Sequence, residues 1–210
     1  MLRRVTSIPP IQDALPTGFY APELQQIRSR LARMELRRLH EPAPQAAVLV
    51  PLCHVGGAPS VLFTKRTQTV GTHKGEVSFP GGRRDADDVD EIATALRELE
   101  EETGICRHDV DVLGRFHEVT SITGLRVTPV IAFVGDIDPS SLRISPAEID
   151  VAFALSLAAL VDPSQRAIQQ LGLRSVPVFS AGPFPVWGLT AFILEEVLRE
   201  ALGVELPPLP

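Results

Sequence analysis

Apolar and polar residues alternate along this chain with two different periods. From Ala21 to Leu39, Leu24, Ile27, Leu31 and Met34 recur at helical spacing behind Pro22, with the arginines mostly on other faces. The spacing predicts an amphipathic helix docked on the body of the protein. The segment EPAP then reads as a short linker. Residues 46–53, AAVLVPLC, form a near-continuous apolar run of strand length, suited to a sheet buried on both faces. Gly56-Gly57 turns the chain back through VLFTKR, 61–66, as the second strand of a hairpin. Residues 67–90 keep no sustained period, are punctuated by Gly and Pro around SFPGG, and read as loop.

A second helix is predicted from Asp90, with Ile92, Ala95, Leu96 and Leu99 on one face and Gly104 placed to end it. Further strands follow near 110–120 and 127–135. VAFALSLAALV divides into a strand and a short helix, PVFSAGPFPVWG reads as a final hairpin, and Leu189 to Leu202 as a closing helix with Ile193, Leu194, Val197 and Leu198 inward. The fold class is therefore α/β, a mixed β-sheet sandwiched between helices (α/β/α). The expected organisation is an N-terminal extension over 1–44 and one domain over 45–205.

Composition narrows the function. At 210 residues and 44% hydrophobic the chain can build a packed core, and no apolar run approaches the roughly 20 residues of a membrane helix. A formal charge of −6 disfavours a general nucleic-acid binder, whose phosphate contacts need a basic excess. Neither nucleic acid nor membrane is expected as a partner; a homodimer is left open. Cys53 and Cys106 make no CxxC pair and read as reduced thiols. The opening MLRRVTSIPPIQ carries no acid before Asp13, which fits an organelle-targeting signal interrupted by Pro9 and Pro10. The expected location is cytoplasmic or mitochondrial, not secreted.

RELEEETG, 97–104, places four glutamates within five positions. Taken alone, such a run describes a solvated helix face. On a helix, however, Glu98, Glu101 and Glu102 share a side while Glu100 points elsewhere. The cluster sits at the helix C-terminus, where the dipole disfavours carboxylates. Arg97, four residues before Glu101, offsets part of that cost, and a divalent cation would offset more. Oxygen donors without nearby His or Cys suit Mg²⁺, with Mn²⁺ as substitute, and both also bind phosphate oxygens. Upstream, KRTQTVGTHKG and SFPGGRRD supply Lys65, Arg66, His73, Lys74, Arg83 and Arg84 together with the close-approaching pair Gly81-Gly82. Acids and cations together read as a site for a diphosphate ester.

GGRRDADDVDEIATALRELEEETGI resembles the Nudix box, the signature of hydrolases that cleave nucleoside diphosphates linked to another moiety. The REUxEExGU half (U, bulky aliphatic) is matched in full by Arg97, Glu98, Leu99, Glu101, Glu102, Gly104 and Ile105. From Gly82 to Arg97 the spacing is one residue longer than usual, and the usual box glutamate has no equivalent at its offset. That spacing, with Asp85, Asp88 and Asp90, is similar to the coenzyme A diphosphatase branch. So is LFTKRTQTVGTHKGEVSFPGG, apart from Gly71, which stands where the branch usually carries an arginine. GLRVTPVIAFVG, EIDVAFALSLAAL and PVFSAGPFPVWGLTA extend the likeness over most of 45–200, nearest to the mitochondrial members.

The resemblance implies a Nudix fold and a Mg²⁺-dependent hydrolysis of CoA or acyl-CoA. The implied metal ligands are Glu98, Glu101 and Glu102, with Glu101 also a candidate to orient water. Arg97 is implied to position a glutamate, and Glu148 is a candidate base or further ligand. Arg66, His73, Lys74, Gly81, Gly82 and Arg83 are implied at the substrate, Phe79-Pro80 as a packing anchor, and Trp187 is divided between core and pocket. Two alternatives stay open: a diphosphatase of NADH, ADP-ribose or dinucleoside polyphosphates, and a non-catalytic Nudix-fold binding module. The SQPWPFPxS array of the NADH branch is absent, and no core box glutamate is lost.

Overall fold

The computed structural model describes residues 15–39, 43–68, 74–171 and 174–207. The basic N-terminus, Gly71 and His73 lie outside them. Eight strands form one mixed sheet. Strands β1 (Gln45–Val55), β2 (Ala58–Arg66) and β3 (Val77–Ser78) run from the centre to one side, and β7 (Arg126–Asp136) and β5 (Asp111–Arg115) to the other, in the order β3-β2-β1-β7-β5. The short β4 (Gly81–Arg83) pairs with β1, β6 (Val119–Thr120) with β7, and β8 (Ile149–Ser156) with β2. The central pair, β1 with β7, is parallel.

The apolar run of β1 is explained by burial on both faces. Its residues alternate between two cores, with Ala46, Val50 and Leu52 in one and Ala47, Leu49 and Cys53 in the other. The second core is closed by helix α2 (Glu91–Thr103) through Ala95 and Leu99. The first is closed by α1 (Ala21–Arg33), α3 (Leu157–Val161) and α4 (Gly188–Glu196), which contribute Ile27, Leu31, Leu160, Ile193 and Leu194. Helices thus cover both faces, as the periodicity predicts. Val197 and Leu198, in the π-helical turn after α4, are buried as expected.

Three readings are corrected. Helix α1 stops at Arg33, because Met34 is extended, so the stretch to Leu39 is not helical. The segment read as loop contains β3 and β4, whose strand character comes from pairing with β2 and β1 and not from any local period. The last hairpin lies earlier than expected. Strand β9 (Arg166–Leu171) pairs antiparallel with β10 (Arg174–Phe179) as a separate two-stranded sheet, and only a single Phe179–Val186 bridge joins the PVFSAGPFPVWG ends.

Candidate active site

Strand β2 aims its alternate residues at opposite faces. Leu62 packs in the α2-side core, and Thr64 and Arg66 continue that face towards Glu102. Phe63 packs on the other face. Lys65 is engaged elsewhere too, with Asp150 at 2.5 Å and over the Phe184 ring at 4.7 Å, so it does not join the cations expected around the glutamates.

Asp90 caps α2 by accepting from the Ala93 amide, and Gly104 closes it in the left-handed conformation, φ 73°. The last turn carries no basic residue, so its carboxylates face the negative end of the dipole uncompensated by that route. Glu102 is the extreme case, with its side chain 1% exposed. Thr64 Oγ1 and Arg66 Nη1 approach it at 3.5 and 3.4 Å, which is long for contacts to a charge. Burial pushes its carboxyl up to about 8, with Arg66 opposing and Glu98 and Glu148 adding to the rise. One turn earlier, burial also raises Glu98, against the pull of Arg97.

Arg97 joins the group. Its Nε and Nη2 hold Asp88 at 3.1 and 2.9 Å, Nη1 reaches Glu98 at 2.9 Å and Glu101 at 3.0 Å, and Nη2 also donates to the Arg83 carbonyl at 3.1 Å. Asp88 is buried and takes the Asp85 amide at 2.9 Å. The Arg97 guanidinium holds its carboxyl far below the usual carboxylate range. Asp88 is a site residue that sequence reading missed; the aspartates at 85, 88 and 90 were visible, but nothing local distinguished the one that pairs with Arg97.

The two glycines of SFPGG make room for different neighbours. A Cβ at Gly82 would lie 2.3 Å from Glu98 Oε1, whereas one at Gly81 would lie 2.5 Å from the Ala47 carbonyl and 2.7 Å from Val48 Cα. Gly82→Ala is therefore expected to displace a movable carboxylate, leaving folding nearly intact while activity falls by about 10²-fold. Gly81→Ala collides with backbone that cannot give, so it is expected to lower the melting temperature. Thermal melts and initial rates of the two variants check this division; equal rate losses without a difference in melting would contradict it.

The remaining expectations divide. Glu101 is 55% exposed on the outer rim, held by Arg97. Glu148 is exposed in the turn before β8, which is tied to the site by the Ser145 amide donating to the Glu102 carbonyl at 3.1 Å and the Thr67 amide to the Glu148 carbonyl at 2.9 Å. Its charge is felt at both Glu98 and Glu102. Glu100 faces away, paired with Arg107. Lys74 and Arg83 are exposed, while Arg84 is committed to Gln45 and to the carbonyls of Asp88 and Val89. Phe79 is buried and stacked on Phe63. Trp187, at 39% exposure ahead of α4, is not a core residue. Cys53 is buried, its thiol pushed up to about 12, and Cys106 is exposed.

Among the described residues no three His, Cys, Asp or Glu side chains stand close enough together to bind a metal ion; Arg97 engages Glu98 and Glu101. The donor set still fits a hard divalent cation. Glu102 is a buried carboxylate with only long side-chain partners, Glu98 lies one turn away with its side chain mostly covered, and both are oxygen donors. A cation there would relieve the desolvation that raises both groups.

The NUDIX domain family model matches residues 43–170. The mitochondrial coenzyme A diphosphatase NUDT8 of Mus musculus is 46% identical over 191 residues, covering 88% of this chain and 90% of that protein. Its Homo sapiens counterpart is 43% identical over 176 residues, covering 81% and 75%. Among solved structures, a MutT/nudix family protein from Enterococcus faecalis superposes with a TM-score of 0.50 at 17% identity, covering 86% of this chain and 74% of that one, which is a likeness of fold.

Proposed function

This chain belongs to the Nudix hydrolase family, and from that premise we propose that it hydrolyses the diphosphate bond of coenzyme A or acyl-CoA, releasing adenosine 3′,5′-bisphosphate and 4′-phosphopantetheine or its acyl form. The observation that carries the chemistry is the buried Glu102 carboxylate, set one turn from Glu98 and loosely met by Arg66. The substrate assignment is supported by the two relatives' names and by the extent of the likeness to them.

A divalent cation held by Glu98 and Glu102, Mg²⁺ with Mn²⁺ as substitute, would supply charge neutralisation at the diphosphate and a more acidic water. Arg97 fixes Glu98 and Glu101, and Asp88 fixes Arg97. Glu101 orients the attacking water as a third candidate ligand. Glu148, in the turn that also carries Ser145, is the base in this reading and would accept the water's proton. Arg66, loosely held by Glu102, and the exposed Lys74 and Arg83 are the cations assigned to phosphate, together with the Gly81-Gly82 backbone. Mitochondrial location is part of the proposal, supported by the relatives' names and the basic N-terminus.

With Gly71 in place of an arginine, the remaining cations must read the 3′-phosphate of CoA. A charge-assisted phosphate contact is worth about 1.5–3 kcal/mol, so dephospho-CoA is expected to be poorer by about one to two orders of magnitude in kcat/KM. The test compares CoA, dephospho-CoA, NADH and ADP-ribose at one Mg²⁺ concentration. Faster hydrolysis of NADH or ADP-ribose, or parity of dephospho-CoA with CoA, would overturn the substrate assignment and leave the family membership standing.

A further inference from the structure

Outside the glutamate site, a groove of about 420 Å³ runs between strand β8 and the segment that follows β7. Its volume lies within the range of small-molecule sites. Five consecutive residues of β8, Asp150 to Ala154, line it. In a strand, successive side chains point to opposite faces, so a run of five in one lining means that the strand's edge, backbone included, forms the wall. Among the described residues β8 pairs only with β2, which leaves the outer row of N–H and C=O groups open to an added extended chain.

The opposite wall is mixed, with Leu142 and Ile144 at one end and Asp138, Pro139 and Ser140 at the other. No cation is among the residues lining the groove, and two carboxylates are. Asp138 is held by the Ser140 amide at 2.9 Å and the Ser140 hydroxyl at 2.7 Å. Asp150 is paired with Lys65. Such a groove repels phosphate and accepts a neutral chain that is partly apolar and carries amides. It is joined to the glutamate site through the chain: Asp150 lies two residues beyond Glu148, and Ile144 immediately precedes Ser145, whose amide donates to the Glu102 carbonyl.

We propose that this groove binds the uncharged pantetheine arm of the substrate, its two amides laid along the open edge of β8 and its methyl-bearing portion against Leu142 and Ile144. The assignment rests on the coenzyme A reading. It orients the substrate across the site, with the phosphoadenosine half towards Arg66, Lys74 and Arg83 and the arm on the acidic side.

The direct experiment titrates free pantetheine, which has no diphosphate to cleave, onto ¹⁵N-labelled protein. The backbone amides of Val151 to Ala154 and Leu142 are expected to shift, whereas adenosine 3′,5′-bisphosphate is expected to leave them in place. In kinetics, Leu142→Arg is expected to raise KM for CoA by about tenfold with kcat within about twofold, and to leave inhibition by adenosine 3′,5′-bisphosphate unchanged. If that variant melts early, Ala154→Leu, which fills the groove from the strand side, replaces it with the same expectation. If CoA is hydrolysed yet pantetheine leaves β8 unshifted, or the folded variant keeps a wild-type KM, the groove assignment is wrong and the proposed reaction stands. If pantetheine shifts β8 but CoA is not hydrolysed, the coenzyme A reading fails and the groove's role in that reaction falls with it, leaving only pantetheine binding at β8.

Discussion

Glu102→Gln is expected to lower kcat by about 10²-fold or more, roughly 2.7 kcal/mol of barrier, while making the cation-free protein harder to unfold at pH 8. The loss follows from removing the most buried of the clustered carboxylates without changing its volume. The gain in stability follows from linkage. Burial raises the folded-state pKa of Glu102 from 4.5 to about 8, so between those values the folded chain keeps a proton that the unfolded chain has lost. Stability therefore declines as pH rises through that window and levels off above about 8. The glutamine variant lacks this slope, and its melting-temperature advantage should widen from pH 5 to pH 8. Mg²⁺ should stabilise the wild type more than the variant, because only the carboxylate offers it an anionic oxygen ligand, and this gain should grow as pH rises and the carboxyl loses its proton. Glu98→Gln should show a comparable rate loss, and Glu100→Gln, paired away with Arg107, almost none. Near-normal kcat for Glu102→Gln at saturating Mg²⁺, or melting curves parallel to wild type at every pH, would remove Glu102 from the metal site.

Arg97→Ala should be the most damaging single change to the fold around the site. It leaves Asp88 buried without its guanidinium and frees Glu98 and Glu101 to repel each other. Breaking a largely buried ion pair from one side costs about 3 kcal/mol, equivalent to about 6–12 °C of melting temperature for a chain of this size. Asp88→Asn should also destabilise, and the pair should couple strongly in a double-mutant cycle, so that the double variant is less damaged than the two losses summed. Because Arg97 holds the folded-state pKa of Asp88 down, the stabilisation is present above about pH 4 and is lost as pH falls towards that depressed value. Thermal melts of the four species at pH 7 and pH 3 measure both effects. Additive losses, or a melt of Arg97→Ala within 2 °C of wild type, would show that Arg97 does not organise the site.

The parts of this architecture legible in the sequence are those dictated by a local period. Helix α2 and the nearness of Glu98 to Glu102 follow from a spacing of four, whereas the burial of Glu102 and the exposure of Glu101 on the rim are set by tertiary packing. The double burial of β1 follows from an apolar run in which both sets of alternate residues are hydrophobic. What stayed hidden is decided by contact across the chain. Strand β4 is three residues, two of them glycine, and becomes a strand only because it pairs with β1 and lies against Glu98. Asp88 is one of three aspartates in an acidic loop and is singled out only by Arg97 nine residues on. Strand β9, RAIQQL, is too polar and short to declare itself, and its partner strand defines it.

The central claim is that the carboxylates of α2 support cation-dependent cleavage of the diphosphate of CoA. The most direct measurement incubates the purified protein with CoA, with and without Mg²⁺, and separates the products by chromatography. Adenosine 3′,5′-bisphosphate and 4′-phosphopantetheine should accumulate in equal amounts, only when Mg²⁺ is present, and EDTA should stop their formation. Intact CoA after prolonged incubation with Mg²⁺, or cleavage at any bond other than the diphosphate, would contradict it.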